Sequence, residues 1–308
     1  MRTLKVAVVG VGYLGRIHAL KYASMPQVDL IGLVDIDLNR AREIAQELDS
    51  TAYTDYRHII DKVDAVSIAV PTTIHDEIAI PFLEQGVAVL LEKPMSASVE
   101  QSRKIIEAAR KGNALLQIGH LERFNPALVN LAERITKPMF IEVHRISPFR
   151  ERGTDVDVIL DLMIHDIDII LSLVKSEIAS LEAVGIPVLT ESIDIANARI
   201  RFDSGCIANV TASRVSAEVM RKIRIFQPDS YISIDYAKSA VDIFTLGENK
   251  QILHTNLTIS DSDALQAEID SFLNALRTNT DPVVDGAAGL KAIEVTTLIK
   301  DSMIIPGK

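Results

Sequence analysis

The sequence predicts an α/β chain in two parts, a doubly wound parallel sheet followed by an α+β domain built on a large, mostly antiparallel open sheet. Three observations carry that expectation. Up to about residue 120, short β-branched runs alternate with longer amphipathic stretches. Beyond that point apolar and polar residues alternate one by one, and helical stretches become sparse. At 308 residues the chain is also long enough for two ordinary domains.

In the first part, residues 6–9, 30–34, 65–70, 87–91 and 114–118 are nearly continuous apolar runs. Runs of that kind suit strands covered on both faces. Between them, residues 18–25, 38–48, 74–85 and 99–111 carry helical spacing. Gly86 and Gly112 are expected just past two helix ends, and Ser98 with Gln101 matches a capping box. Strand and helix in alternation with short links imply parallel strands.

In the second part, a helix is expected over residues 126–135, followed by alternating runs at 140–146, 196–202, 206–214, 221–226 and 231–236. Alternation marks strands with one covered and one wet face. Asp203-Ser204-Gly205 is a hairpin turn between two of them. Helical spacing returns at residues 158–174, 264–276 and 287–303. The expected domains are residues 1–120 and 121–308, with the boundary between Gly119 and Glu122. The alternating strands outnumber the helices available to cover them, so a homodimer or homotetramer through the sheet is expected.

Composition narrows the function. Apolar residues make up 48% and charged residues 24%, which fits a folded water-soluble chain. A net charge of −10 with no dense Lys/Arg run argues against nucleic acid or an anionic membrane surface as partner. No stretch reaches the roughly 20 apolar residues of a membrane span, and the first residues do not read as a signal sequence. The single cysteine, Cys206, cannot form an internal disulfide, so a cytoplasmic setting is expected and the sequons at Asn209 and Asn256 carry no meaning.

Gly10-Val11-Gly12-Tyr13-Leu14-Gly15 follows a buried strand and opens a helix, the context in which a glycine loop binds a dinucleotide. The first glycine permits the tight turn, the second lets a pyrophosphate approach the backbone, and the third lets the helix pack on the strand. Asp35 ends the next strand, 20 residues after Gly15. There it accepts hydrogen bonds from ribose hydroxyls and repels the 2′-phosphate of NADP, which favours NAD; Arg40, on the following helix, is the one residue placed to offset that. Pro71, Thr72, Thr73 and His75 follow the third long strand at the sheet edge where ligands bind. Taken alone, Thr73 reads equally as a helix cap, and His75 as structural. Glu92-Lys93-Pro94 follows the next strand; Lys93 is either a donor to a substrate hydroxyl or a solvated partner of Glu92.

Residues 158–174 form an almost wholly apolar helical stretch carrying Asp161, His165 and Asp168 at i, i+4 and i+7, on one face. Buried charges are costly unless paired. The row is therefore a closed structural network or an acid/base site, in which a carboxylate holds the tautomer of a titrating imidazole. No further ligands with metal spacing stand nearby, so no metal is expected.

Together, the glycine loop, Pro71-Thr72 with His75, Glu92-Lys93-Pro94, and Asp161 with His165 resemble the Gfo/Idh/MocA family of sugar and cyclitol oxidoreductases. The resemblance spans both domains in the family's order. It implies a Rossmann domain, a second domain whose sheet often forms the oligomer interface, and NAD as cofactor. It also implies catalytic roles for Lys93 and His165, with Asp161 beside them. On the cofactor side it implies Gly10, Gly12, Tyr13, Leu14, Gly15 and Asp35, followed by Pro71, Thr72, His75, Glu92 and Lys93.

The stretch from Gly119 to Ala127 is similar to members that oxidise the 3-hydroxyl of UDP-N-acetylglucosamine. That narrower likeness implies Arg123, Asn125, Asp161 and His165 on the substrate, with Arg123 gripping the diphosphate bidentately. Arg145, Arg150 and Arg152 are further candidates for the same charge. Inositol or free-hexose oxidation stands as the alternative, and a non-catalytic NAD-binding sensor or scaffold as the alternative of another class.

Overall fold

The computed structural model describes residues 2–149, 156–258 and 263–306. Residue contacts divide the chain into two units. One comprises the residues up to Leu121 with Leu265–Ile293, the other Glu122–Ala264 with the residues from Glu294 on.

The first unit holds strands β1 (Leu4–Val9), β2 (Val28–Val34), β3 (Ala52–Tyr53), β4 (Ala65–Ile68), β5 (Ala88–Glu92) and β6 (Leu116–Gly119). They form one sheet in the order 3-2-1-4-5-6, every pair parallel. Val6, Val8, Val66, Val89 and Leu90 are fully buried, as continuous apolar strands covered on both faces must be. Helices α1 (Tyr13–Ala23), α2 (Leu38–Glu47), α3 (His75–Glu84) and α4 (Val99–Gly112) connect them. Strand order reverses between β1 and β4, so the loops leaving those two strands flank the crevice where such sheets take ligands.

The caps around α4 and after α3 follow the sequence with one change. Ser98 Oγ accepts from Gln101 N at 3.2 Å, and Gly86 follows α3 with φ +77. Gly112, expected just past its helix, is instead the last residue of α4, and Asn113 takes the left-handed cap at φ 50. A side chain at Gly112 would collide with the Leu83 carbonyl, so close packing on the α3 end is what requires the glycine.

A contiguous second domain over 121–308 is not what the contacts give. Helix α7 (Ala264–Thr278) presents Leu265, Ile269, Phe272 and Leu273 to the core of the parallel sheet, with Leu4, Val6 and Leu30. Ile118 N also donates to Val284 O at 2.9 Å. Helical periodicity reveals that a face will be buried but not which sheet will bury it.

The second unit holds β7 (Phe140–Ile146), β8 (Ile178–Ile186), β9 (Ile195–Phe202), β10 (Ile207–Ser213), β11 (Met220–Phe226), β12 (Ser230–Asp235), β13 (Ala240–Leu246), β14 (Ile252–Thr258) and β15 (Met303–Ile304). The sheet runs 14-13-12-11-7-10-9-8-15, antiparallel except for the β7/β10 and β8/β15 pairs. β9 and β10 form the expected hairpin, Gly205 taking φ +86 in its turn. One face carries the core: Ile141, Val143, Ile200, Val210, Ile223 and Ile225 pack with residues of α5 (Pro126–Leu131) and α6 (Ile164–Val174). Across the opposite face runs an aromatic row, Phe140, Phe226, Tyr231, Phe244 and His254, with successive ring centroids 4.3 to 5.6 Å apart. Helix α8 (Gly286–Asp301) ends two residues before β15, where a longer helix was expected.

Candidate active site

In the first unit the site is built at the ends of β1, β2, β4 and β5. Gly10 takes φ +84, and a Cβ there would stand 2.6 Å from Ala69 O. Gly15 can carry no side chain because the Gly10 carbonyl occupies its place. Gly12 differs: apart from its own neighbours along the chain, no atom lies within 4 Å of where its Cβ would stand. Gly12 is the cap residue of α1, and the first turn of a helix favours an anion. The loop therefore fits the pyrophosphate of NAD. Tyr13 and Leu14 begin that helix, Tyr13 exposed and Leu14 half-buried.

Asp35 stands where expected, but its carboxylate has a second task. Oδ2 accepts from Val11 N at 3.0 Å and Oδ1 from Asp37 N at 2.9 Å, so the side chain ties the glycine loop to the end of β2. Arg40 Nη1 lies 3.3 Å from Asp35 Oδ2, pairing with this acid where a phosphate contact had been the other expectation.

Beyond β4, Pro71 is exposed and Thr72 half-buried in a short 3-10 turn. Ile74, not Thr73, occupies the cap position of α3. His75 is buried, with Nδ1 2.9 Å from Pro94 O and Nε2 3.0 Å from Val70 O. Burial lowers its pKa, against the opposing pull of those carbonyls, and the ring bridges the segments leaving β4 and β5. At the end of β5, Glu92 is turned inward: Oε2 accepts from Lys93 N at 3.2 Å, and Oε1 lies 3.0 Å from His18 Nε2. The Lys93 side chain itself is half-buried.

In the second unit, the stretch carrying the acid/base row opens with a π-helical turn, Ile159–Met163, before α6. A π turn closes over five residues instead of four. The α-helical count that aligned Asp161, His165 and Asp168 therefore does not hold across it. Asp161 lies in the π turn and His165 in the first turn of α6, both half-buried. Asp168 is fully buried and taken by Arg123, whose Nε and Nη2 lie 2.6 and 3.0 Å from its two oxygens. Of the row, Asp168 is thus held in an ion pair with Arg123, while Asp161 stands in the π turn and His165 at the start of α6.

That pair engages the Nε/Nη2 edge of Arg123, the edge expected to meet a diphosphate, with a carboxylate of its own chain. Asn125 caps α5, its Oδ1 accepting from Ala127 N at 3.0 Å. Arg145 is buried, holding Asp166 through two 2.8 Å contacts and Glu122 through one of 3.0 Å. Burial opposes its charge, but the two carboxylates prevail and raise its pKa. Arg150 and Arg152 lie outside the described residues. Among the described residues, no group of three or more His, Cys, Asp or Glu is placed to hold a metal ion, and no helix is long and apolar enough to cross a membrane. The buried His18 against Glu92 was not foreseen: a histidine three residues past the last loop glycine reads only as one more position on an inward helix face.

Two family models match the chain, the NAD-binding Rossmann-fold oxidoreductase family over residues 4–120 and the GFO/IDH/MocA C-terminal domain over 133–228. The sequence is 36% identical over 303 residues to UDP-N-acetylglucosamine 3-dehydrogenase from Acidithiobacillus ferrooxidans, covering 96% of each chain. The solved structure of that enzyme superposes with a TM-score of 0.93 over 98% of both chains. Scyllo-inositol 2-dehydrogenase (NAD(+)) from Bacillus subtilis is 30% identical over 236 residues, 69% of this chain and 68% of that one. Levoglucosan dehydrogenase in complex with NADH and L-sorbose, at 20% identity and a TM-score of 0.89 over 98% of this chain and 97% of that one, shares the fold.

Proposed function

This chain belongs to the Gfo/Idh/MocA oxidoreductase family, and from that membership we propose that it oxidises the 3-hydroxyl of UDP-N-acetylglucosamine to the ketone. The observation that carries the proposal is the 36% identity, over 96% of both chains, to an enzyme of that activity. NAD, when bound, supplies the hydride acceptor. His165 takes the hydroxyl proton as hydride leaves the same carbon, and Lys93 orients the oxygen and stabilises its developing charge. Asp161 holds the imidazole or the substrate. The roles of Lys93 and His165 can be exchanged, since a lysine of lowered pKa is also a base. Arg123 and Asn125 contact the nucleotide sugar from where they also hold Asp168 and the start of α5. We place the enzyme in the cytoplasm as a homodimer or homotetramer, supported by the lone cysteine and by the aromatic row on the open sheet face.

The test is NAD reduction with UDP-N-acetylglucosamine, myo-inositol and glucose in parallel. Turnover of the nucleotide sugar alone is expected. Turnover of inositol instead would move the chain to the other branch, and tight NAD binding without turnover of any polyol would favour a sensor. In the active protein, His165→Asn and Lys93→Ala each lower kcat by roughly 100-fold or more, the usual loss for a proton-transfer group, with NAD binding retained.

A further inference from the structure

Behind Lys93 lies a chain of buried polar groups that the proposed chemistry does not use. Tyr22 Oη and Ser67 Oγ are 2.7 Å apart, Ser67 Oγ and His18 Nδ1 3.2 Å, and His18 Nε2 and Glu92 Oε1 3.0 Å. Tyr22, Ser67 and His18 are all fully buried. A carboxylate at Glu92 can only accept, so His18 presents its Nε2 proton to it; in the neutral ring Nδ1 then accepts from Ser67, which in turn accepts from Tyr22. Every donor therefore points toward Glu92. Its other oxygen accepts the backbone N–H of Lys93.

Two neighbours reinforce this arrangement. A Cβ at Gly119 would stand 3.1 Å from the Glu92 carboxyl group, so the glycine leaves room for the inward turn. Glu268 is fully buried, its carboxyl oxygens without a hydrogen-bond partner, and burial together with the nearby Glu92 raises its pKa well above the ordinary range. A protonated Glu268 adds no second negative charge beside Glu92.

We propose that His18 is a positioning residue for catalysis: it locks the Glu92 carboxylate that fixes the main chain at Lys93, with Ser67 and Tyr22 setting its tautomer. A buried chain satisfied at each link holds its members in one geometry, and a misplacement of about 1 Å at a reacting group can cost about 100-fold in rate. The inference rests on the catalytic reading of Lys93.

The experiment compares full-length His18→Leu, His18→Gln, Lys93→Ala and the His18→Leu/Lys93→Ala double variant, with Tyr22→Phe as a milder break in the same chain. His18→Leu should lower kcat about 10-fold or more, the scale of losing an orienting partner, with KM and the calorimetric Kd for NAD within about 2-fold. His18→Gln, which keeps a donor for Glu92, should recover most of that loss. In the Lys93→Ala background, His18→Leu should cost nothing further, because residues acting through one group are not additive.

Independently of any substrate, hydrogen exchange in the segment containing the Lys93 amide should quicken in His18→Leu and not in His18→Gln. Equal losses in both backgrounds, or Gln no better than Leu, would reduce His18 to a structural residue. If His18→Leu does not fold, Tyr22→Phe decides: unchanged kcat and unchanged exchange at Lys93 overturn the proposal. An active Lys93→Ala would instead defeat the catalytic reading, whereas an inactive Lys93→Ala beside a fully active His18→Leu defeats only this inference.

Discussion

At the scale of single residues, several side chains chosen for their chemistry turn out to hold structure as well. Asp35 binds the amides of Val11 and Asp37, so replacing it changes both the charge near the ribose and the anchoring of the glycine loop. The native protein is expected to bind NAD more tightly than NADP. Asp35→Ser should narrow that gap mainly by weakening NAD, and isothermal titration with both cofactors checks it; equal native affinities would contradict the assignment. Arg123 is the second case. Removing one partner from a buried pair leaves an uncompensated charge, at about 3–5 kcal/mol, so Arg123→Ala should lower the melting temperature sharply, and Arg123→Ala/Asp168→Asn should regain part of it. An Arg123→Ala protein of native stability with a raised KM for the nucleotide sugar would leave Arg123 to the substrate alone.

Among elements, α7 is the one whose placement has a measurable consequence. It carries Glu268 into the core of the parallel sheet, where burial raises the carboxyl pKa. The unfolded chain releases this proton near pH 4, with a reference value of about 4.3, while the folded chain retains it. Folded protein then binds more protons, so this contribution to stability is present below that pH and is lost as pH rises. Glu268→Gln removes the dependence. It should melt together with the parent at about pH 4 and above it by about 2 °C or more at pH 8, the scale of 1 kcal/mol in a protein of this size. A gap independent of pH, measured by calorimetry, would mean that Glu268 is ionised where it stands.

For the whole molecule, the nine-stranded sheet sets the expectation. One face is closed by helices, and the other carries the aromatic row from Phe140 to His254 beside the Arg224–Glu142 pair at 2.6 Å. An apolar stripe of that length on an open sheet is better covered than wet. Light scattering at micromolar concentration should give a dimer or tetramer mass, and Phe226→Lys, second in the row of five, should shift it toward the monomer without loss of the strand signal. A monomeric parent protein would contradict this assembly.

The sequence by itself determined the local architecture: parallel strands from continuous apolar runs, the open sheet from strict alternation, and the glycine loop from its spacing. Each of these follows from periodicity and backbone sterics, which act over a few residues. The family was legible for the same reason, through short motifs such as Glu92-Lys93-Pro94. Strands β8, β13 and β14 were not; β8 is largely exposed, with Ala, Ser and Glu among its residues, and neighbouring strands supply the pairing that defines it. Tertiary structure alone decided that α7 packs on the parallel sheet, that Asp161 stands in a π turn ahead of the helix carrying His165 and Asp168, and that Arg123 and Asp35 are engaged by their own chain. Those outcomes depend on which distant group arrives to satisfy a buried charge or cover an apolar face, and no local pattern encodes the identity of that partner.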